Sequence, residues 1–241
     1  MINLLGFNIY INDLSKVELD RKIIINTINP HSYCISKKEV VFQESLKNSN
    51  VLLPDGIGIV WASQFLLGKK IKKIAGADVH LHFLNIANQD NFKIFYLGAS
   101  DQTLSKIKKR ITIEFPNCNV ATFSPPFKSN FSEKENEIML QEINSFQPDI
   151  LFVGMTAPKQ EKWVFHNKEK INARVICSIG AVFDFYAGNV KRASPFWIKI
   201  GLEWLPRLIK EPKRLFYRNF ISTPKFILEV ISFKIFGKGI L

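Results

Sequence analysis

Cysteine is scarce in this sequence, and the scarcity excludes small cross-linked protein classes. The 241 residues include three cysteines, Cys34, Cys118 and Cys177, which are widely spaced and odd in number. A disulfide framework needs a denser and even set, and a structural zinc site needs closely spaced ligands. We therefore expect three ordinary thiols in a reducing compartment.

Long apolar runs are also missing. No stretch has the roughly 18 uncharged apolar residues that a membrane-spanning helix needs. Residues 1–6 lack the basic and apolar regions of a secretory signal. We expect the protein to stay on the cytoplasmic side. Hydrophobic residues still make up 46% of the chain, which suits one globular domain with an appendage.

Closely spaced metal ligands are the third absence. The sequence has no Asp-x-Asp pair, and its four histidines show no ligand spacing apart from His80 and His82. Those two are separated by two positions and would point to different sides of a helix. We expect neither a metal nor another cofactor.

Positive charge, by contrast, is abundant and unevenly distributed. The net charge is +12, and residues 191–241 hold eleven Lys or Arg against three acids. Such asymmetry indicates an anionic partner: a nucleic acid, a phosphorylated substrate or an anionic membrane. Aromatics alternate with these cations, as is typical of helices at a membrane interface. Alternatively, the aromatics dock on the rest of the chain or on a neighbouring subunit.

Short apolar runs alternate with helical patterns along the first four fifths of the chain. We predict strands at residues 23–25, 51–53, 94–97, 118–123, 150–153 and 175–179, and helices at 13–22, 32–47, 57–67, 78–86, from 101, at 132–146 and from 158. This alternation indicates βαβ crossovers. The predicted fold is therefore α/β, a Rossmann-like parallel sheet between helices. Residues 1–193 would form this domain and 194–241 a short helical appendage.

The predicted strand ends are small or polar, which matters because ligands of such sheets bind there. The central example is the stretch 148–165, in which an apolar strand, a Gly-Met-Thr-Ala turn and a helix start would form an anion site. The same pattern also suits an ordinary connection. The other strand ends carry Thr27 and Asn29, Asp55 and Gly56, Gly98 to Ser100, and Gly180.

Several stretches together resemble the WecG/TagA/CpsF family of bacterial glycosyltransferases. They are Asn26-Thr27-Ile28-Asn29, Pro54-Asp55-Gly56-Ile57-Gly58, Ala75-Gly76-Ala77-Asp78, Val153-Gly154 with Ala157-Pro158-Lys159-Gln160-Glu161, Gly180-Ala181-Val182-Phe183-Asp184, Gly201-Leu202-Glu203-Trp204, Arg207, and Glu211-Pro212-Lys213-Arg214. The matches follow family order over nearly the whole chain.

The resemblance implies an inverting, metal-independent transferase in surface polysaccharide or teichoic-acid synthesis. It would move an N-acetylmannosamine-type sugar from a UDP-sugar to an undecaprenyl-diphosphate-linked saccharide. Such an enzyme would be attached peripherally to the inner face of the cell membrane.

Asp55 is the candidate general base, because glycosyl transfer needs a group that accepts the proton of the attacking hydroxyl. The alternative role for this carboxylate is to cap the helix that begins at Ile57.

The remaining candidates have a binding role by their place in the predicted crevice or by resemblance. Thr27 and Asn29 could hold the sugar or the acceptor, or form the turn before Pro30. Asp78 is more often a helix cap than a catalyst, and Asp101 is also predicted to cap a helix. Asp184 could bind sugar or brace Arg192. Lys73 stands near a position where many family members have arginine, and it lacks the bidentate fork. The other proposed binding residues are Gly56, Gly98, Thr156, Lys159, Gln160 and Gly180.

Arginines of the appendage are the candidate counterpart of the leaving diphosphate, since no metal is expected. Guanidinium groups pair bidentately with phosphate oxygens, and such pairing stabilises charge that grows as the glycosidic bond breaks. We assign this role to Arg207, Arg214 and Arg218, which the resemblance also implies. The alternative is a set of surface cations.

Two other functions fit parts of the sequence. The basic tail could belong to a nucleic-acid-binding protein, although we expect no nucleic-acid partner, or the chain could be an inactive UDP-sugar sensor. We also expect a homo-oligomer, because so many aromatics in the tail must be covered.

Overall fold

The computed structural model describes residues 1–190, 194, 197, 204–205, 208, 212–237 and 239–241, with Lys213 and Arg214 described by backbone only. The chain begins with an antiparallel hairpin of β1 (Ile2–Leu4) and β2 (Phe7–Ile9). Tyr10 extends it by donating its backbone N–H to the carbonyl of Leu52. The hairpin is thus attached to the edge of the main sheet.

The main sheet has six parallel strands, which confirms the predicted fold class. They are β3 (Ile23–Ile28), β4 (Val51–Pro54), β5 (Lys93–Gly98), β6 (Asn119–Phe123), β7 (Ile150–Gly154) and β8 (Val175–Ser178). Their order is β4-β3-β8-β7-β5-β6. All six correspond to predicted strands.

Helices cover both faces of the sheet, as parallel strands require. They are α1 (Pro30–Ser36), α2 (Val40–Lys47), α3 (Ile57–Leu67), α4 (Gly76–Asp90), α5 (Asp101–Glu114), α6 (Glu133–Phe146), α7 (Lys159–Asn167), α8 (Val182–Tyr186), α9 (Pro212–Phe216) and α10 (Thr223–Phe236). A π-helical turn, Tyr217–Ser222, joins the last two. Along β3, Ile23 and Ile25 face one core cluster and Ile24 the other.

Two helix predictions were wrong in extent. Within residues 13–22 the structure has only a 3-10 turn, Leu14–Lys16. The rest of this segment is irregular, because an irregular backbone lets Leu14, Val17 and Leu19 all pack on the core. The predicted helix 32–47 is divided into α1 and α2. The hydroxyl of Ser36 bonds the carbonyl of Tyr33, a local bond of the kind that competes with helix continuation.

Two helix caps also differ from prediction. Asp78 lies inside α4 rather than at its N-cap position, and its carboxylate accepts the backbone N–H of Ala75 at 2.9 Å. Ser100, not Asp101, caps α5 by accepting the backbone N–H of Thr103. The observed N-cap position therefore lies three residues before the predicted one in α4 and one residue before it in α5.

The last helix, α10, is part of the core. Phe226 and Val230 are fully buried and pack among residues of α1 and α3. Glu229, also fully buried, accepts hydrogen bonds from the Tyr33 hydroxyl and from the backbone N–H of Leu241. The docking alternative for the tail aromatics therefore holds for Phe226. The proposed division of the chain at residue 193 stays a prediction.

Gly98 ends β5 and pairs with Gly154 at the end of β7. Its φ is +114°, and an added Cβ would lie 2.7 Å from the Gly154 carbonyl oxygen. We expect Gly98→Ala to lower the free energy of unfolding by about 2–4 kcal/mol, since strain and overpacking add. Urea denaturation measures this.

Gly68→Ala is the matched control, because Gly68 also has a positive φ, +65°, but open space around its Cα. It should cost only about 1 kcal/mol. Equal stability of the two variants, with ligand binding lost only in Gly98→Ala, would instead support the binding role predicted for Gly98.

Candidate functional site

A cavity of about 1000 Å³ lies along the carboxyl edge of the sheet. Residues that follow β3, β4, β5, β6, β7 and β8 all contribute to its wall, and Leu215 and Arg218 contribute from the C-terminal segment. Ten predicted site residues line it: Thr27, Asn29, Asp55, Gly56, Thr156, Lys159, Gln160, Gly180, Asp184 and Arg218. The cavity is therefore our candidate active site.

The ends of β3 and β4 build one wall. Their backbones pair Thr27 with Leu53 and Ile28 with Pro54, and Asp55 continues this pairing through its N–H to the Ile28 carbonyl. Asn29 also has the turn role considered above: its side-chain oxygen accepts the N–H groups of His31 and Ser32 and caps α1. The register thus holds Asp55 beside Asn29.

Asp55 precedes α3 without occupying its N-cap position. That position belongs to Gly56, whose φ of +102° suits glycine. At Gly58 an added Cβ would lie 2.5 Å from the ring of Pro30, so α3 approaches α1 closely. This approach keeps Asp55 and Asn29 together in one wall.

The ends of β7 and β8 build the central wall from buried polar groups. Gln160 and Glu161 lie in the first turn of α7, and Ser178 ends β8. Each is at most 4% exposed. The Gln160 amide nitrogen donates to Glu161 Oε1 at 2.9 Å. Gln160 Oε1, Glu161 Oε2 and Ser178 Oγ have no hydrogen-bond partner among the described residues. Burial raises the pKa of Glu161 to about 7, against the smaller effects of the Gln160 bond and of Lys162.

Lys159 ties α7 to the loop between β6 and α6. Its ammonium donates to the carbonyl of Lys128 and lies 3.7 Å from the ring centroid of Phe131. Burial lowers its pKa. Residues 124–129 of that loop line the cavity, and Phe127 is fully exposed at its edge. Lys159 thus fixes one rim of the cavity.

Asp184 stands at the end of the cavity near α5. The side-chain amide of Asn189 donates to both Asp184 Oδ1, at 3.3 Å, and Thr103 Oγ1, at 2.9 Å. A brace to Arg192 falls outside the described residues. The hydrogen bond from Asn189 therefore holds the Asp184 carboxylate in the cavity wall.

The C-terminal segment closes the remaining side. The His31 ring nitrogen Nδ1 lies 2.8 Å from Ser222 Oγ, and the ring packs edge-on against Tyr217. Burial and the nearby charge of Arg218 lower the pKa of His31. Arg207 and the side chain of Arg214 lie outside the described residues, so Arg218 is the predicted arginine seen at the cavity.

Three predicted residues are not among those that line the cavity: Lys73, Asp78 and Gly98. Asp78 bonds the start of α4, and Gly98 allows β5 and β7 to meet. His31, Glu161 and Ser178 line the cavity but were not predicted. For Glu161 a signal existed, because on a helix it lies one turn from the apolar Val164 and so on an inward face.

Within residues 1–190 and the described part of the tail, no group of three or more His, Cys, Asp or Glu could hold a metal ion. None of the described helices is both long and apolar enough to cross a bilayer.

The fold and the cavity define a Rossmann-like α/β enzyme with a crevice for a polar ligand at its strand ends. Comparison with known proteins gives the family. Residues 2–239 match the model described as "Glycosyl transferase WecG/TagA/CpsF family". The chain belongs to this family, as the sequence motifs predict, and is a glycosyltransferase.

Named relatives share one description, N-acetylglucosaminyldiphosphoundecaprenol N-acetyl-beta-D-mannosaminyltransferase. The protein from Bacillus subtilis is 33% identical over 92% of this chain and 85% of its own. The protein from Bacillus spizizenii is 30% identical over 92% of this chain and 85% of its own. That from Staphylococcus aureus strain MW2 is 27% identical over 88% and 81%.

The buried carboxyl of Glu161 should make stability depend on pH. Its pKa is raised from 4.5 to about 7, so the unfolded chain loses this proton first as the pH rises. Because of this group, the free energy of unfolding falls as the pH rises from about 4.5 to 7, at roughly 1.4 kcal/mol per pH unit. The total loss is about 3 kcal/mol. We expect Glu161→Gln to be more stable than the unmodified chain at pH 8, and this gain should vanish near pH 4.5.

Urea unfolding at several pH values measures this difference. Glu137→Gln, at an exposed position of α6, is the control and should shift stability by less than about 0.5 kcal/mol at every pH. A gain for Glu161→Gln that is the same at pH 4.5 and pH 8 would contradict the raised pKa.

Proposed function

We propose that the protein transfers N-acetylmannosamine from a UDP-sugar to an N-acetylglucosaminyl-diphosphoundecaprenol acceptor, with inversion and without a metal ion. The names of the relatives support this donor sugar and this acceptor. The observation that carries the proposal is the cavity itself, in which one wall holds a carboxylate, Asp55, and another a guanidinium, Arg218.

Asp55 acts as the general base. Its carboxylate accepts the proton of the acceptor hydroxyl while that oxygen attacks the anomeric carbon from the side opposite the leaving group. A bond forms between this oxygen and the anomeric carbon, and the bond from that carbon to the UDP oxygen breaks. One direct displacement inverts the configuration. Thr27 and Asn29, on the wall nearest Asp55, hold the acceptor or the sugar.

Arg218 neutralises the UDP that leaves. Its guanidinium offers several fixed N–H donors to phosphate oxygens, and stabilising charge that develops in the transition state is a large catalytic effect. Arg207 and Arg214, in the same segment, are proposed to join it. The lowered pKa of His31 favours a neutral ring beside this group. Thr156, Lys159, Gly180 and Asp184 complete the donor site.

The same segment is proposed to attach the protein to the inner face of the membrane, where the acceptor lies. Phe216, Tyr217 and Phe220 are about half exposed and flank Arg218, which lines the cavity. Exposed aromatic rings of this kind, with Lys225 and Lys234 nearby on α10, suit an anionic interface. A homo-oligomer that covers the same rings is the alternative arrangement.

Asp55→Asn tests the assignment of the base. We expect the transfer rate to fall at least about 100-fold, as for loss of a general base, while UDP affinity changes little. Transfer from UDP-N-acetylmannosamine to a lipid-linked acceptor measures this. Asp90→Asn, at the exposed end of α4, is the control with full activity.

Two outcomes would favour other functions. Nucleotide binding by the unmodified chain without any product would indicate a UDP-sugar sensor. Salt-sensitive binding of DNA or RNA, unaffected in Asp55→Asn and with no sugar transfer, would indicate a nucleic-acid-binding protein.

Arg218→Ala tests the neutralisation of the diphosphate. We expect at least about a 10-fold lower rate, with partial recovery in Arg218→Lys, which keeps the charge but not the bidentate fork. Addition of EDTA should leave the rate of the unmodified enzyme unchanged.

Arg174→Ala is the matched control, since Arg174 precedes β8 at the opposite edge of the sheet and pairs with Asp149. Full activity of Arg218→Ala, or a rate that depends on added manganese, would contradict this mechanism.

A further inference from the structure

The central wall of the cavity contains three buried polar atoms that lack partners. Gln160 is 4% exposed, Glu161 3% and Ser178 1%. All three line the cavity, yet Gln160 Oε1, Glu161 Oε2 and Ser178 Oγ have no hydrogen-bond partner in the part of the chain that the structure describes. Leaving such atoms unpaired costs about 1–3 kcal/mol each. Their clustering in one wall therefore points to a ligand that satisfies them.

The hydrogen bond inside the cluster gives it a direction. Gln160 Nε2 donates to Glu161 Oε1 at 2.9 Å, and an ionised carboxylate can only accept. The amide nitrogen is thus held by Glu161, and the amide oxygen is the end left for a ligand. An added Cβ at Gly180 would lie 3.1 Å from this oxygen, so the glycine leaves the space beside it open.

We propose that Glu161 is a positioning residue, which fixes the Gln160 amide so that Gln160 Oε1, Glu161 Oε2 and Ser178 Oγ accept hydrogen bonds from the hydroxyl and acetamido N–H groups of the transferred sugar. The identification of a sugar as the ligand rests on the proposed function. The cluster is the specificity-determining part of the donor site.

Charge supports a sugar rather than a diphosphate at this wall. Gln160 Oε1 can only accept hydrogen bonds, and Glu161 Oε2 can only accept them when its carboxyl is ionised. A phosphate oxygen placed there would meet like partial charges. The guanidinium of Arg218 belongs to a different wall, formed by the C-terminal segment. A donor that spans the cavity would then place its diphosphate toward Arg218 and its sugar over α7.

Other charged groups lie on the helix of Glu161 and in the cavity wall. On its own helix, Lys162 pairs with Glu39 of the segment before α2 at 2.7 Å, and Lys159 bonds the Lys128 carbonyl. The other ionisable side chains of the cavity wall are His31, Asp55, Asp101, Lys128, Asp184 and Arg218. Burial remains the largest influence and raises the pKa of Glu161 to about 7.

Protonation should therefore weaken sugar binding. Below about pH 7 the carboxyl gains an O–H that can donate to Gln160 Oε1, which removes the acceptor from the ligand. The affinity for the sugar part should fall as the pH drops from 8 to 6. The affinity for UDP, which lacks the sugar, should not follow this change.

Calorimetric titration with UDP-N-acetylmannosamine and with UDP tests the proposal on three variants. Glu161→Leu should weaken binding of the UDP-sugar at least about 10-fold at pH 8 and leave UDP affinity within about twofold. Glu161→Gln keeps one acceptor oxygen for Gln160, but its amide N–H can donate to Gln160 Oε1 as the protonated carboxyl does. It should therefore bind the UDP-sugar at pH 8 about as weakly as the unmodified chain does at pH 6, with an affinity that does not change between the two pH values. Ser178→Ala should weaken UDP-sugar binding about threefold or more.

Thermal unfolding separates this role from a merely structural one. At pH 8 the ionised carboxyl of Glu161, with its raised pKa, destabilises the fold. Its removal offsets the loss of the bond from Gln160 Nε2, so Glu161→Leu should combine an unchanged or higher Tm with weaker sugar binding. If that variant does not fold, the pH profile of Glu161→Gln still decides. Unmodified UDP-sugar affinity in all variants at both pH values, or an equal loss for UDP, would overturn the proposal.

The two proposals fail separately. If the variants bind as expected but the unmodified chain transfers no sugar, the proposed function is contradicted and the cluster remains a sugar-recognition site. Sugar transfer with affinities that do not respond to Glu161 would contradict the inference alone. Absence of binding to either nucleotide by the unmodified chain would overturn both.

Discussion

Parallel hydrogen bonding of six strands is the constraint on which this molecule depends. Each strand must be followed by a crossover, so all six carboxyl ends reach one edge of the sheet. The order β4-β3-β8-β7-β5-β6 then brings together residues that lie far apart in the sequence. Asp55 follows β4, Gln160 follows β7 and Asp184 follows β8, yet all three line one cavity.

The C-terminal segment completes that edge because it is anchored in the core. Phe226 packs edge-on against Tyr33 of α1, with ring centroids 5.3 Å apart. The Tyr33 hydroxyl donates to the buried carboxylate of Glu229 at 3.0 Å, and burial together with that carboxylate raises the pKa of Tyr33. A phenol that keeps its proton at working pH suits this donor role. This anchor holds the preceding turn, with Arg218, at the cavity.

Much of this architecture can be predicted from sequence because strand and helix periodicity are local properties. All six strands and the bounds of α3 (Ile57–Leu67) follow from apolar runs and glycines. The division of α1 from α2 could not be predicted in this way, because the helical pattern of residues 32–47 continues across it.

The residues of the candidate site likewise divide into those that local sequence patterns predict and those that depend on tertiary packing. Polar residues at strand ends, such as Thr27 and Asp55, are visible in the sequence because topology alone brings them to the cavity. His31 and Ser178 are not, since their role depends on tertiary packing: His31 contacts Ser222 of the C-terminal segment, and Ser178 lies on β8, which contacts α7. Gly98 shows the converse: it lies at a strand end, as the sequence predicts, but the atoms beside it belong to the backbone of Gly154.

The central claim is that the strand ends and the C-terminal segment form one ligand site. Hydrogen–deuterium exchange with and without UDP tests it most directly. The account predicts slower exchange on UDP binding both in residues 154–161 and 178–184 and in residues 215–222, with α6 unaffected. Protection in the strand-end loops alone, at UDP concentrations that saturate binding, would contradict it.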